Sequence, residues 1–252
     1  LETSKAVATQ VRQYDYERYL CSLFAPASTR ARVWAVQALC YELLRIPPTV
    51  SDAMVGMVRL KWWQESLEAL AATSEPQALP PEHPVLAALA PWLATAPWLV
   101  PMAGQLQEQL LEQLHEPQQS EAVPRSLAVV YAMLGRAAVP EPEPEPKADA
   151  EATDAAYATL GRWHGYVALI RTHVAGRADG FGGAHGWYEA MKQEQATLRL
   201  PARCSRYGKA LHQLERLWTE RITRAMRLEA PVMLRRMPAL APRLAWRMLA
   251  AR

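Results

Sequence analysis

Apolar side chains recur at steps of three and four residues through most of this chain, the spacing that puts them on one face of an α-helix. Residues 12–24 predict a first helix, with Tyr16, Tyr19, Leu20 and Leu23 on one face and Pro26 as its stop. Ser28 or Thr29 can cap a second helix running to about Ile46, with Val33, Val36, Leu39, Leu43 and Ile46 at helical spacing. Pro47-Pro48 ends it, because proline lacks the amide hydrogen that an interior turn needs. Ser51 then caps a third helix through Leu70 that contains Val55, Val58, Trp62, Trp63 and Leu67. Helical periods continue over residues 84–94, 98–115, 123–138, 153–174, 186–197, 203–229 and 231–250, the last interrupted at Pro238 and Pro242. The total is about nine or ten helices with no repeat unit. With two Phe and few β-branched runs to build strands, the fold class is all-α.

Three stretches break or strain this pattern. The run Pro140-Glu141-Pro142-Glu143-Pro144-Glu145-Pro146 and the Ala/Asp/Glu-rich residues after it are low in complexity. Alternating Pro and Glu favours an extended backbone with no packed face. Residues 140–152 are therefore read as an internal surface loop of one domain spanning 1–252, since neither half carries a complete pattern alone. Gly176, Gly180, Gly182, Gly183 and Gly186 make 176–186 an irregular loop. Between Glu82 and Glu108 there is no Asp, Glu, Lys or Arg, a length that would span a bilayer. Pro84, Pro91, Pro97 and Pro101 cut it into short pieces, so it reads as two buried or partly interfacial helices with a turn around Thr95–Pro97.

Charge adds an asymmetry. Residues 203–252 carry twelve Lys and Arg against three Glu, a net +9, which leaves −6 on the remainder of a chain whose total is +3. A basic face of this kind suits an acidic partner or an anionic lipid surface, or is a set of solvated helix faces. No recognition-helix or aromatic-plus-basic strand pattern accompanies it, which argues against nucleic acid. Cys21, Cys40 and Cys204 form no CxxC pair and suit a reducing compartment. The six His show no metal-ligand spacing, so no metal or cofactor is expected. The chain begins at Leu1, which suggests processing or truncation, with a removed transit peptide as one cause.

Four stretches carry a family resemblance. They are Tyr16 to Pro26; Val33 to Pro47 with Val50-Ser51-Asp52, Gly56 and Arg59-Leu60-Lys61-Trp62-Trp63; His83-Pro84 to Leu89; and Leu160-Gly161-Arg162-Trp163-His164-Gly165 on to Arg171. Together they resemble the squalene/phytoene synthases. The second, with Glu42-Leu43-Leu44-Arg45 at its centre, is similar to a divergent branch that includes a mitochondrial complex I assembly factor. The resemblance implies an isoprenoid-synthase-like helical bundle. It also implies two facing Asp-rich helices holding a Mg²⁺–diphosphate cluster, since a DxxxD pair shares one helical face and Mg²⁺ wants carboxylate oxygens.

At the position of the first such motif the chain reads Leu44-Arg45-Ile46-Pro47-Pro48, and after Arg171 it reads Thr172-His173-Val174-Ala175-Gly176. Neither contains a carboxylate. The polar pair expected on the inward face of the second helix is replaced by Gly165 and Ala168. Only Asp15, Asp52, Asp149, Asp154 and Asp179 occur in the whole chain. Glu42, one turn before the first motif, is a lone substitute without a facing partner.

Glu42, Arg45, Arg59 and Arg171 are candidates for a residual anion site, or are cations that satisfy buried carboxylates and helix ends. Trp62, Trp63 and Trp163 are candidate cavity linings, although adjacent Trp on a helix also serve ordinary packing. His164 and His173 are read as structural. The expectation is a pseudoenzyme with no catalytic residue. By resemblance it acts as an accessory subunit or assembly factor of a mitochondrial respiratory-chain complex, complex I in the first place. Its partners would be protein subunits, with peripheral contact to inner-membrane lipids on the matrix side. The alternatives are a lipid or isoprenoid carrier, a residual prenyl-diphosphate synthase, or the same binding role in a bacterial cytoplasm or at the periphery of its inner membrane.

Overall fold

The computed structural model of the chain describes residues 2–72, 83–116, 121–140, 147–175, 181, 183–201, 204–234 and 240–250. Among them there are twelve α-helices, one short 3-10 turn and no strand. The all-α expectation holds, with more helices than the nine or ten counted from periodicity. The chain divides into two compact units: Leu1–Ala122 with Arg136–Glu141, and Val123–Gly135 with Pro142–Arg252.

The first unit holds α1 (Glu2–Tyr14), α2 (Tyr16–Ser22), α3 (Ala27–Leu44), α4 (Ile46–Thr49), α5 (Ala53–Ala72), α6 (Pro84–Leu93) and α7 (Leu99–His115). Helix α1 packs on α2, α3 and α6, and α5 packs on α6 and α7. Val7, Val11, Leu39, Leu43, Leu60, Leu67, Leu89, Leu106 and Leu110 fill its core, each fully buried aliphatic contributing roughly 1.5–3 kcal/mol over an exposed one.

The helix expected over 12–24 is two helices, because Asp15 leaves the helical range at φ −140° and ψ 60°. Its carboxylate accepts from the Arg18 amide at 3.3 Å, capping α2, and from Gln37 Nε2 at 3.0 Å. Pro47 and Pro48 do not end the helical path. They occupy the first turn of α4, where a missing amide hydrogen costs nothing. Asp52, not Ser51, precedes α5, accepting from the Met54 amide at 2.8 Å. The buried row of α5 is Gly56, Leu60, Trp63 and Leu67, while Val55, Val58 and Trp62 face solvent.

The uncharged stretch folds as α6 and α7 with the turn at 94–98, as its prolines require. Among the described residues no helix is long and apolar enough to cross a membrane.

The second unit takes most of α8 (Ala122–Ala137) together with α9 (Lys147–Ala175), α10 (His185–Thr197), α11 (Arg206–Arg227), the 3-10 turn Pro231–Leu234 and α12 (Leu240–Ala250). Helix α9 begins at Lys147, so residues 147–152 are helical rather than part of the loop expected over 140–152; residues 141–146 lie outside the described residues. Most of the glycine-rich segment 176–186 and Pro238 also lie outside them. Helix α9 packs on α10 and α11, and α11 packs on α12. Ser205 caps α11, its Oγ accepting from the Gly208 amide at 3.1 Å. Leu211, Leu214, Leu217, Trp218 and Ile222 form the buried stripe of that helix.

Candidate functional site

In the first unit the end of α3 carries the polar residues nearest the first expected metal motif. Glu42 accepts from Gln10 Nε2 at 2.8 Å and pairs with Arg45 at 3.6 Å. Tyr41 stacks on Tyr14 with ring centroids 4.7 Å apart, and the Arg45 guanidinium lies 6.0 Å from the Tyr41 ring. This lone carboxylate is held by an amide and a cation of its own helix end. Mg²⁺ needs several hard oxygens in near-octahedral geometry, which one neutralised Glu does not supply. Among the described residues no three of His, Cys, Asp and Glu converge as a metal-ligand set.

Trp62 and Trp63 divide between surface and core at 46% and 5% exposure. Both rings pack edge-on against His83, at 5.9 and 4.9 Å. His83 caps α6 through Nδ1, which accepts from the Val85 amide at 3.3 Å. Burial lowers the pKa of this imidazole from its ordinary 6.5, with Glu42 opposing and Arg45 reinforcing the shift. Arg59 lies on the exposed face of α5, and no contact among the described residues joins it to Glu42 or Arg45.

In the second unit Arg171 lies with its guanidinium 3.7 Å from the Trp218 ring centroid, a cation–π contact. Trp163 is fully buried, and its indole nitrogen donates to Thr219 Oγ1 at 2.8 Å. His212 packs edge-on against Trp163 at 5.8 Å. Its pKa is lowered by burial first and then by Arg216, against Glu215.

The most concentrated polar group of this unit is Glu215, at 0% exposure. Its Oε1 accepts from Tyr131 Oη at 2.9 Å and pairs with His164 Nδ1 at 2.8 Å, while Oε2 is buried without a hydrogen-bond partner. His164, expected to be structural, has a buried carboxylate partner that the expectation did not include. The signal was present: Glu215 sits between Leu211 and Trp218 on the apolar stripe of α11, where an unpaired charge would be costly.

Glycine sets the approach of α8 to α9. A Cβ at Gly161 would lie 2.1 Å from the Leu127 carbonyl oxygen, and one at Gly165 would lie 2.4 Å from Pro124 Cα. The two glycines, one turn apart, let the backbone of α8 rest on α9 where a side chain would hold it off. Gly165 is one of the two positions at which the resemblance calls for an inward polar side chain.

An all-helical framework, with no strand among the described residues, defines the class. The squalene/phytoene synthase family profile matches residues 11–172, and the chain belongs to that family. Among curated relatives, it is 32% identical to human "NADH dehydrogenase (ubiquinone) complex I, assembly factor 6" over 106 residues, covering 40% of this chain and 30% of that protein. The mouse protein of the same name is 29% identical over 115 residues, 43% of this chain and 32% of that protein. The Drosophila melanogaster homolog is 29% identical over 84 residues, 33% of this chain and 25% of its own length. The matched stretch therefore spans about a third or less of each relative.

Proposed function

We propose that this chain is a non-catalytic member of its family that works by binding. It serves as an assembly factor or accessory subunit of a respiratory-chain complex, complex I in the first place, at the matrix side of the mitochondrial inner membrane. The observation that carries the loss of chemistry is Glu42. It is the carboxylate one turn before the expected first motif, and it is held by Gln10 and Arg45. On α9 the residues after Arg171 offer Thr172 and His173 in place of carboxylates. An allylic diphosphate cannot ionise without a metal cluster to take the leaving group. The names of the relatives supply the role.

The test is blue-native fractionation of the source membranes, with the chain followed by mass spectrometry. Comigration with subassemblies supports an assembly factor, and comigration with one mature complex supports an accessory subunit. Migration as a free monomer sinks the binding role and returns the lipid carrier. Incubation of the purified protein with farnesyl diphosphate and Mg²⁺ should release no diphosphate; turnover would overturn the loss of chemistry.

A further inference from the structure

Helix α12 is apolar on two sides. Leu240, Leu244 and Met248 are buried, one turn apart. On the outer side Pro242, Ala245, Trp246 and Leu249 face solvent, with Trp246 at 71% and Leu249 at 56% exposure. A surface helix ordinarily turns charge outward. Here the charge lies along one flank instead, as Arg243 and Arg247. Arg247 is held by an ion pair to Glu220 of α11.

Arg243 belongs to a second feature. Arg221 and Arg224 lie one turn apart on α11, and Arg243 lies one turn before Arg247, whose ion pair with Glu220 ties α12 to that end of α11. Burial and the charges of Arg243 and Arg224 lower the Arg221 pKa below the usual guanidinium range. Among the described residues no carboxylate stands within ion-pair distance of Arg221, Arg224 or Arg243, since Glu220 is taken by Arg247. Arg221 Nε is buried without a hydrogen-bond partner. Gathering like charges without acids is unfavourable in isolation, and an anion bound there relieves it.

We propose that the arginines Arg221, Arg224 and Arg243, with the exposed Trp246 and Leu249 beside them, form a docking surface for a bilayer containing anionic phospholipids. Charge complementarity selects the occupant's sign, and the indole selects its kind. Trp prefers the boundary between headgroups and acyl chains, and Leu249 adds apolar area that a phosphate alone would leave wet. An acidic protein would satisfy the arginines but gives no reason for apolar residues so open to solvent. The proposal deepens the membrane contact in the function above and rests on it only for the identity of the membrane.

The test is cosedimentation of the full chain with vesicles of phosphatidylcholine alone or doped with phosphatidylglycerol. Binding is expected only to the doped vesicles and should weaken as salt rises, because exposed charges are screened within about 10 Å at 0.1 M salt. Arg224→Gln and Arg243→Gln should each weaken binding roughly fivefold and flatten its salt dependence. Trp246→Ser should weaken it roughly tenfold with the salt dependence kept. Circular dichroism checks that each variant is folded, and Arg12→Gln, exposed on α1 of the other unit, should bind as the parent does.

Equal binding to neutral vesicles, no binding to doped ones, or variants that bind like the parent would each overturn the proposal. Binding to polyglutamate without binding to vesicles would overturn it in favour of an acidic protein partner. The assay needs no respiratory complex. A failed comigration experiment with intact vesicle binding removes the assembly role and leaves the surface standing, and the converse removes the surface alone.

Discussion

Replacing Glu215 with Leu isolates what the buried polar centre of the second unit contributes. The carboxylate is fully buried and bonds His164 Nδ1 at 2.8 Å and Tyr131 Oη at 2.9 Å. Removing it takes the acceptor from an imidazole on α9 that is itself buried. Breaking one side of a buried pair costs about 3–5 kcal/mol, because the group left behind has lost its solvation and its partner. For a chain of this size that is a fall in Tm of roughly 10 °C. His164→Leu should cost a similar amount, since it leaves the carboxylate buried with less compensation.

The double variant is the decisive one. Removing both members and refilling the space with apolar side chains brings stability back to within about 1–2 kcal/mol of the parent. The residual is the loss of Glu215 to Tyr131. Chemical denaturation followed by far-ultraviolet circular dichroism measures all three variants. The coupling should be several kcal/mol and favourable. Additive losses in the double variant would refute the reasoning, showing that each residue acts through its own packing rather than through the pair.

Three further outcomes follow from the structure. Gly165→Val and Gly161→Ala should each destabilise the chain by about 1–3 kcal/mol in the same denaturation assay, since the new Cβ meets α8 backbone and not a side chain that can move. Cys40, whose thiol burial pushes up to about 12, should resist a disulfide reagent in the native protein at mild alkaline pH and react once denatured. His83 and His212 have folded pKa values lowered by burial, so the unfolded chain takes up their protons first as pH falls below their ordinary 6.5. The stability they contribute is present above that value and is lost as pH drops through the lowered ones; His83→Gln should flatten this part of the pH–stability profile.

The sequence made the helices legible and their local details less so. Periodicity found α6, α7 and α8 to within a residue or two, because proline and loop residues punctuate them at both ends. It began the first helix at residue 12, missing most of α1, and ran it through the break before α2, since the break at Asp15 depends on side-chain bonds to Arg18 and to Gln37, which lies 22 residues away. Pro47-Pro48 was read as a terminator because proline is hostile to helix interiors, yet the first turn of α4 is the place that tolerates it. Apolar residues on α5 did not reveal which face is buried: Val55, Val58 and Trp62 are as apolar as the inward row. The Glu215–His164 pair joins residues 51 apart, a relation that helical spacing cannot express.

The glycine ledge on α9 also limits what position 165 can carry. The family resemblance implies a polar side chain at position 165, on the inward face of this helix. Here the backbone of α8 already occupies the space a Cβ would need, 2.4 Å from Pro124 Cα. No polar side chain can be placed at position 165 unless α8 moves away. The glycines therefore act as a latch: they admit a close helix, and the close helix excludes any larger residue in their place.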